Sequence, residues 1–271
     1  MVPDIDIDVM NNQEAFLAFL KSLQPKSGIF QNNYSYACYV GLYLFALPFC
    51  RDRIVLDAAC GLGYGSRILA TEARQVVGID LLHDAVDHAR RHYRAENLAY
   101  LRMDALSQAF RKESFDCVVS IETFEHIPNS FADRFIDECR RVLKPGGLFI
   151  LSTPNRPVHT QITKVPGHVH EVDVDELHHL TAPRFLSCDF YHQRKNVLNE
   201  MKAFYTIVKT DKRKWRRFIP AFLRKSMHRL IARDLTQDID NLLPRLEVKP
   251  ASCRDDAKDA AIQVVVCRKE G

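Results

Sequence analysis

No stretch of the chain is long and apolar enough to cross a bilayer, which takes about 20 residues. The longest mostly apolar run is Tyr39 to Cys50, and an ordinary membrane-spanning protein is thereby excluded. The opening residues, MVPDIDID, are acidic and lack the basic segment and apolar core of a signal peptide, so none is expected. The eight cysteines form no CxxC pair, which argues against a zinc ribbon and against a disulfide-stapled secreted module. A reducing, cytoplasmic location is the simpler expectation. Ten glycines and 12 prolines in 271 residues are too few for a low-complexity or collagen-like chain. There is no internal repeat and no long Ser/Gly linker. What remains is an ordinary globular composition, 46% hydrophobic and 27% charged, with a length suited to one large domain or one domain carrying an insertion.

Charge is unevenly placed. The net charge is +4, yet residues 209–233 hold ten basic side chains and one acid, Asp211. Without them the chain carries −5 (28 basic against 33 acidic). Within this segment Trp215, Phe218, Ile219, Phe222, Leu223, Met227, Leu230 and Ile231 make an apolar stripe at helical spacing, with Arg and Lys on the other faces. Three readings stand: a cap helix over a substrate crevice, an interfacial helix on anionic lipid at the inner membrane face, or a nucleic-acid patch. The last is less favoured, because one Trp offers little stacking.

Along the chain, 12–50 reads as helices rich in aromatics. From Arg53 short apolar runs alternate with amphipathic stretches. Strands are expected at 53–58, 75–80, 98–104, 115–121 and 148–154. Helices are expected at 65–74, 83–94 and 130–143, the last capped by Ser130, with a KPGG turn at 144–147. Two more strands are expected at about 200–208 and at 262–268. This alternation predicts an α/β fold, a doubly wound, mostly parallel sheet with helices on both faces.

The first strand runs into Cys60-Gly61-Leu62-Gly63-Tyr64-Gly65. A glycine turn between a strand and its helix lets a ligand approach the backbone and the helix N-terminus. A nicotinamide enzyme would favour a third glycine at position 66, where this chain has Ser66. Asp57 precedes the loop, Asp80 closes the second strand and Asp104 with Ala105 follows the third. An acid at the second strand end can accept both ribose hydroxyls, and one at the third can pair with an adenine amine. Each alone is as well explained by a turn or cap; three along one carboxyl edge describe a crevice for an adenosine.

Taken in order, VLDAACGLGYGSRIL, VVGID, RMDA, FDCVVSIETFEHI and RVLKPGGLFILSTPN resemble the successive motifs of class I S-adenosylmethionine (SAM)-dependent methyltransferases, over about residues 50–180. The resemblance implies a Rossmann-like, seven-stranded sheet whose antiparallel last strand is IQVVVCR. It implies a SAM-binding core over 51–208 and 253–271, a helical lid over 1–50 and a basic helical insertion over 209–252. It places Asp57, Ala59, Gly61 and Gly63 at the methionine portion of SAM, Asp80 and Leu81 at the ribose side, and Asp104 and Ala105 at the adenine.

After the fourth strand comes Glu122-Thr123-Phe124-Glu125-His126. Two carboxylates and an imidazole within five residues can bind a divalent cation, Mg²⁺ by oxygen chemistry or Mn²⁺ by the imidazole. The segment resembles the ExxEH motif of ubiquinone-biosynthesis O-methyltransferases and of small-RNA 2′-O-methyltransferases. That resemblance implies metal ligands Glu122, Glu125 and His126, with His168 at the position of a later ligand. The RNA enzymes carry a further His directly after the motif, where this chain has Ile127. The residues themselves leave three roles open: metal binding, His126 as a metal-free general base assisted by Glu125, or pocket structure alone. The expected activity is methyl transfer to a hydroxyl oxygen of a small-molecule, glycan or lipid-linked acceptor. The alternatives are RNA 2′-O-methylation and a SAM-binding regulator without turnover.

Overall fold

The structure, a computed structural model, describes residues 13–25, 33–156, 167–193, 239–251, 258 and 260–271. The basic segment 209–233 and the strand expected at 200–208 lie outside these residues. The described chain runs α1 (Gln13–Ser22), α2 (Asn33–Cys50), β1 (Ile54–Ala58), α3 (Tyr64–Leu69), β2 (Gln75–Asp80), α4 (His83–His92), β3 (Leu98–Arg102) and β4 (Phe115–Ile121). Two 3-10 turns, Phe124–His126 and Asn129–Phe131, lead into α5 (Ala132–Val142), β5 (Leu143–Pro154), α6 (Val174–Thr181) and β6 (Ser187–Gln193). A short α7 (Ile239–Leu242), β7 (Lys249–Pro250) and β8 (Ile262–Arg268) complete it. Among the described residues no helix is long and apolar enough to cross a membrane.

One eight-stranded sheet has the order β3-β2-β1-β4-β5-β8-β6-β7. The first five in that order are parallel to one another, whereas β8 is antiparallel to both β5 and β6. The expected antiparallel IQVVVCR strand is present. The eighth strand is β7, a two-residue edge on β6, and β6 itself carried no clear sequence signal.

The two-residue strand period divides the core cleanly. Val55, Cys117, Val119, Leu148, Ile150, Val264 and Val266 face a layer formed with α2, α3 and α4. Their neighbours Leu56, Val118, Phe149, Leu151, Val265 and Cys267 face a layer formed with α5 and α6. Burial on both faces is why β4, FDCVVSI, reads as a largely apolar run from Cys117 onward. In α5, Phe135, Ile136, Cys139 and Val142 are buried at helical spacing, and the charged residues take the other faces.

Local boundaries differ from expectation in instructive ways. Helix α3 stops at Leu69, with Ala70 as its C-cap, and Glu72 instead pairs with Arg51 at 2.9 Å. Ser130 lies in a 3-10 turn, and the residue before α5 is Phe131, which makes no side-chain cap. KPGG is not a separate turn. It forms the start of β5, where Gly146 at φ 72° and a register shift opposite Phe115/Cys117 absorb the irregularity.

Candidate active site

The carboxyl ends of β1, β2 and β3 lie side by side. Beyond β1 the chain turns through Ala59 (φ 64°), Gly61 (φ 53°) and Gly63 (φ 89°) before α3 begins. At Gly63 a side chain is excluded twice: the dihedral is left-handed, and a Cβ would meet the Tyr100 ring at 2.8 Å. The Tyr100 hydroxyl donates to the Gly63 carbonyl at 2.7 Å, fastening the turn to β3. Gly61 is different, because a Cβ there would enter open space. Its N–H donates to Asp80 Oδ2 at 2.8 Å, while Leu82 N–H donates to Asp80 Oδ1 at 2.9 Å. Asp80 is therefore held facing the glycine turn, next to the exposed side chains of Leu81 and Leu82. Asp104 accepts from Leu106 N–H at 2.8 Å, fixing the short turn that carries Ala105.

Asp57 sits one layer deeper and is fully buried. Ser66 Oγ donates to it at 2.6 Å, and the Tyr43 hydroxyl lies 3.4 and 3.5 Å from its two oxygens. It thus binds β1 to α3 and to α2. Burial pushes its pKa up to about 7, with the Asp80 charge adding to the rise and the Ser66 and Tyr43 bonds opposing it. Gly65, third glycine of the sequence motif, is a packing residue: a Cβ there would collide with the Tyr43 ring. The open face at Gly61, the oriented Asp80 and the apolar Leu81 fit a nucleoside-bearing cofactor such as SAM.

On the next strands the site changes character. Glu122, directly after β4, adopts φ 50°, an uncommon conformation for a residue with a Cβ. Ser152 holds it there. Glu122 N–H donates to the Ser152 hydroxyl at 3.1 Å, and Ser152 Oγ donates to Glu122 Oε1 at 2.9 Å. The following 3-10 turn buries Phe124 and Glu125. Glu125 Oε2 accepts from Thr153 Oγ1 at 3.2 Å. Burial drives its pKa well above the ordinary carboxylate range, and the charge of Glu122 adds to this.

The Glu125 carbonyl accepts from Val169 N–H at 2.8 Å and His170 N–H at 3.1 Å. These bonds draw residues 167–172 across the strand ends and bring His168 into the site. His126 Nε2 lies 3.9 Å and His168 Nε2 4.0 Å from Glu125 Oε1. Ligand atoms from Glu125, His126 and His168 all lie within 4.8 Å of one another. The fourth expected ligand, Glu122, is not part of that cluster.

The hydrogen bonds also fix the imidazole tautomers. His126 Nδ1 is 2.9 Å from the Gly167 carbonyl, which can only accept, so Nδ1 carries the proton and Nε2 the lone pair. His168 Nδ1 is 2.7 Å from Glu171 Oε1, with the same consequence for its Nε2. His170 stays outside the cluster, packed on Phe124 with ring centroids 5.6 Å apart. His178 and His179 lie on α6, where His179 is exposed and His178 packs against Phe190.

Sequence reasoning missed Tyr43, Ser66, Ser152, Thr153 and Glu171. All five act on a site residue through side-chain hydrogen bonds, and such pairings leave no local spacing signal.

Comparison with known proteins places these observations in a family context. Residues 56–151 match the family pattern described as a methyltransferase domain. A protein of Mycolicibacterium smegmatis, named a "probable S-adenosylmethionine-dependent methyltransferase", is 37% identical over 164 residues, covering 55% of this chain and 58% of that protein. A ubiquinone biosynthesis O-methyltransferase of Coxiella burnetii is 31% identical over 119 residues, covering 43% of this chain and 50% of that enzyme. The chain thus spans about half the length of these curated relatives. A crystal structure from Thermotoga maritima, described as a SAM-dependent methyltransferase and possible histamine N-methyltransferase, covers 97% of both chains. Its TM-score is 0.57 at 13% identity, a likeness of fold alone. The fold is the Rossmann-like methyltransferase fold, and the matches support a class I SAM-dependent methyltransferase core.

Proposed function

We propose that this chain transfers a methyl group from SAM to a hydroxyl oxygen of a small-molecule, glycan or lipid-linked acceptor. One observation carries the choice of an acid–base site. Two imidazole nitrogens, His126 Nε2 and His168 Nε2, lie 3.9 and 4.0 Å from one oxygen of buried Glu125, in the turn that follows β4, the strand beside β1 and its glycine turn.

When bound, SAM supplies an electrophilic methyl carbon on its sulfonium. Gly61 would leave the backbone open to it, Asp80 would take the ribose hydroxyls, and Asp104 with Ala105 would border the adenine. His126, about half exposed, meets the acceptor. Its Nδ1–H is committed to Gly167, so Nε2 takes the hydroxyl proton as the oxygen attacks. Glu125 Oε1 lies 3.9 Å from that nitrogen. The rest of the acceleration comes from alignment of oxygen, carbon and sulfur. Helices α1 and α2 with the residues before them, and segment 209–252, are the walls proposed around the acceptor.

A second reading is favoured by the same geometry. Each imidazole donates its other N–H to a carbonyl or a carboxylate, the outer support that metal-ligating histidines use. Glu125, His126 and His168 would hold a divalent cation, whose charge would lower the pKa of the acceptor hydroxyl. With Glu122 turned to Ser152, the donor set is two nitrogens and one oxygen, which suits Mn²⁺ better than Mg²⁺.

The test is a screen with labelled SAM across quinols, sugars, lipids and RNA. S-adenosylhomocysteine formed with a hydroxyl acceptor is the expected result. Turnover on RNA alone would move the assignment to 2′-O-methylation. SAM binding without any turnover would leave a regulator. Full activity in excess chelator would remove the cation and keep His126 as the base. Co-sedimentation with anionic vesicles tests peripheral membrane contact through 209–233.

A further inference from the structure

Away from the site, Cys188 on β6 and Cys267 on β8 stand directly opposite each other in the antiparallel ladder. Their sulfur atoms are 2.8 Å apart. We infer that Cys188 and Cys267 form a reversible oxidation site, closing to a cross-strand disulfide under hydroperoxide.

The backbone already meets the geometric demand. Directly opposed residues in an antiparallel pair have Cα atoms about 4.5–5.5 Å apart, inside the range of about 4.4–6.8 Å that a disulfide spans. No strand has to move for the bond to form.

The two thiols have different roles. Cys188 is partly exposed and Cys267 is buried, so an oxidant from solvent reaches Cys188 first. The hydrogen bond from Cys267 lowers the Cys188 pKa, whereas burial holds Cys267 well above the usual thiol range. This is the division expected of an attacking thiolate and a resolving thiol.

The chemistry balances with hydrogen peroxide as the only co-reactant. Cys188 sulfur attacks one peroxide oxygen, the O–O bond breaks and water leaves, giving a sulfenic acid. Cys267 sulfur then attacks the Cys188 sulfur, the S–OH bond breaks and a second water carries off the thiol proton. Peroxide is reduced by two electrons and the cysteine pair is oxidised by two.

A second close pair serves as an internal contrast. Cys50 and Cys117 have sulfurs 4.0 Å apart, but both are fully buried, so oxidant has no direct approach. The β6–β8 pair also sits away from the carboxyl end of β5, where Thr153 holds Glu125. Cys267 pairs with Phe149 near the start of the β5–β8 ladder, while Ile262 reaches Pro154 at the carboxyl end of β5. The bond would brace the β6 edge of the sheet by closing a separation of 79 residues, leaving the glycine turn untouched.

The experiment treats the reduced full-length chain with hydrogen peroxide, blocks remaining thiols by alkylation and maps the peptides by mass spectrometry. The expected result is a Cys188–Cys267 cross-linked peptide, cleared by dithiothreitol, with an upward shift in thermal midpoint and unchanged SAM binding. Cys267→Ser should stop at a Cys188 sulfenic acid trapped by dimedone, and Cys188→Ser should lose the cross-link. Oxidation of Cys188 directly to sulfinic acid in the unsubstituted chain, cross-linking of Cys50 to Cys117 first, or no change at either cysteine would overturn the inference.

Discussion

The two halves of the sheet's carboxyl rim are built by different means. On the β1–β2–β3 side, backbone N–H groups and short turns do the positioning. Gly61 and Leu82 grip Asp80, Leu106 grips Asp104, and each contact joins residues near a strand end. On the β4–β5 side, side chains are held by residues far away in sequence. Ser152 and Thr153 hold Glu122 and Glu125 across 30 and 28 positions, and Gly167 holds His126 across 41. The first half is a cradle made by chain path. The second is a reactive cluster made by packing, with a buried carboxylate at its centre. The proposed cofactor binding and proton transfer would therefore have separable structural supports.

That separation can be broken most sharply at His126. His126→Gln should lower kcat by about 100-fold or more, the size expected for loss of a positioned base, with SAM affinity unchanged in calorimetry. A parallel fall in affinity would mean that the two halves act as one unit. The next largest effect is expected at Gly63. Gly63→Ala forces a Cβ onto the Tyr100 ring at a left-handed dihedral and should cost roughly 1–3 kcal/mol in urea unfolding.

Asp80→Ala frees two backbone N–H groups from their acceptor. SAM affinity should fall about tenfold, while kcat at saturating SAM stays near that of the parent chain. The smallest effect concerns Asp57 and pH. Its folded pKa of about 7 lies above the ordinary value of about 4. Between those values the folded chain keeps a proton that the unfolded chain has lost. Its stabilising contribution is complete below about pH 4 and is lost as pH rises through about 7. Asp57→Asn should flatten that part of the thermal midpoint–pH curve, and an unchanged slope would show that the Asp57 proton does not contribute.

The cradle was legible in the sequence because its parts are contiguous. RIVLDA, the glycine turn and the acids at 80 and 104 each sit at a strand end that periodicity alone could mark. The reactive cluster was legible only in part. Glu125 and His126 stood out by composition, and His168 by family resemblance, but which carboxylate would face the imidazoles was not readable. Glu122 and Glu125 are three residues apart with the same chemistry. Their fates diverge because Glu122 takes a positive φ and turns to Ser152, while Glu125 follows the 3-10 turn inward. Strand β6 was missed for a related reason: SCDFYHQ mixes polar and aromatic residues without clean alternation, and its place is set by pairing with β8.

By itself, then, the sequence determined what depends on neighbours along the chain: the parallel strand–helix alternation, the glycine turn, and the two acids that each accept from a backbone N–H two residues on. Tertiary structure decided the burial of Asp57 and Glu125, the tautomers of His126 and His168, and the meeting of Cys188 with Cys267. Those properties arise from desolvation and hydrogen bonds between distant segments, and they take form only when the chain has closed around them.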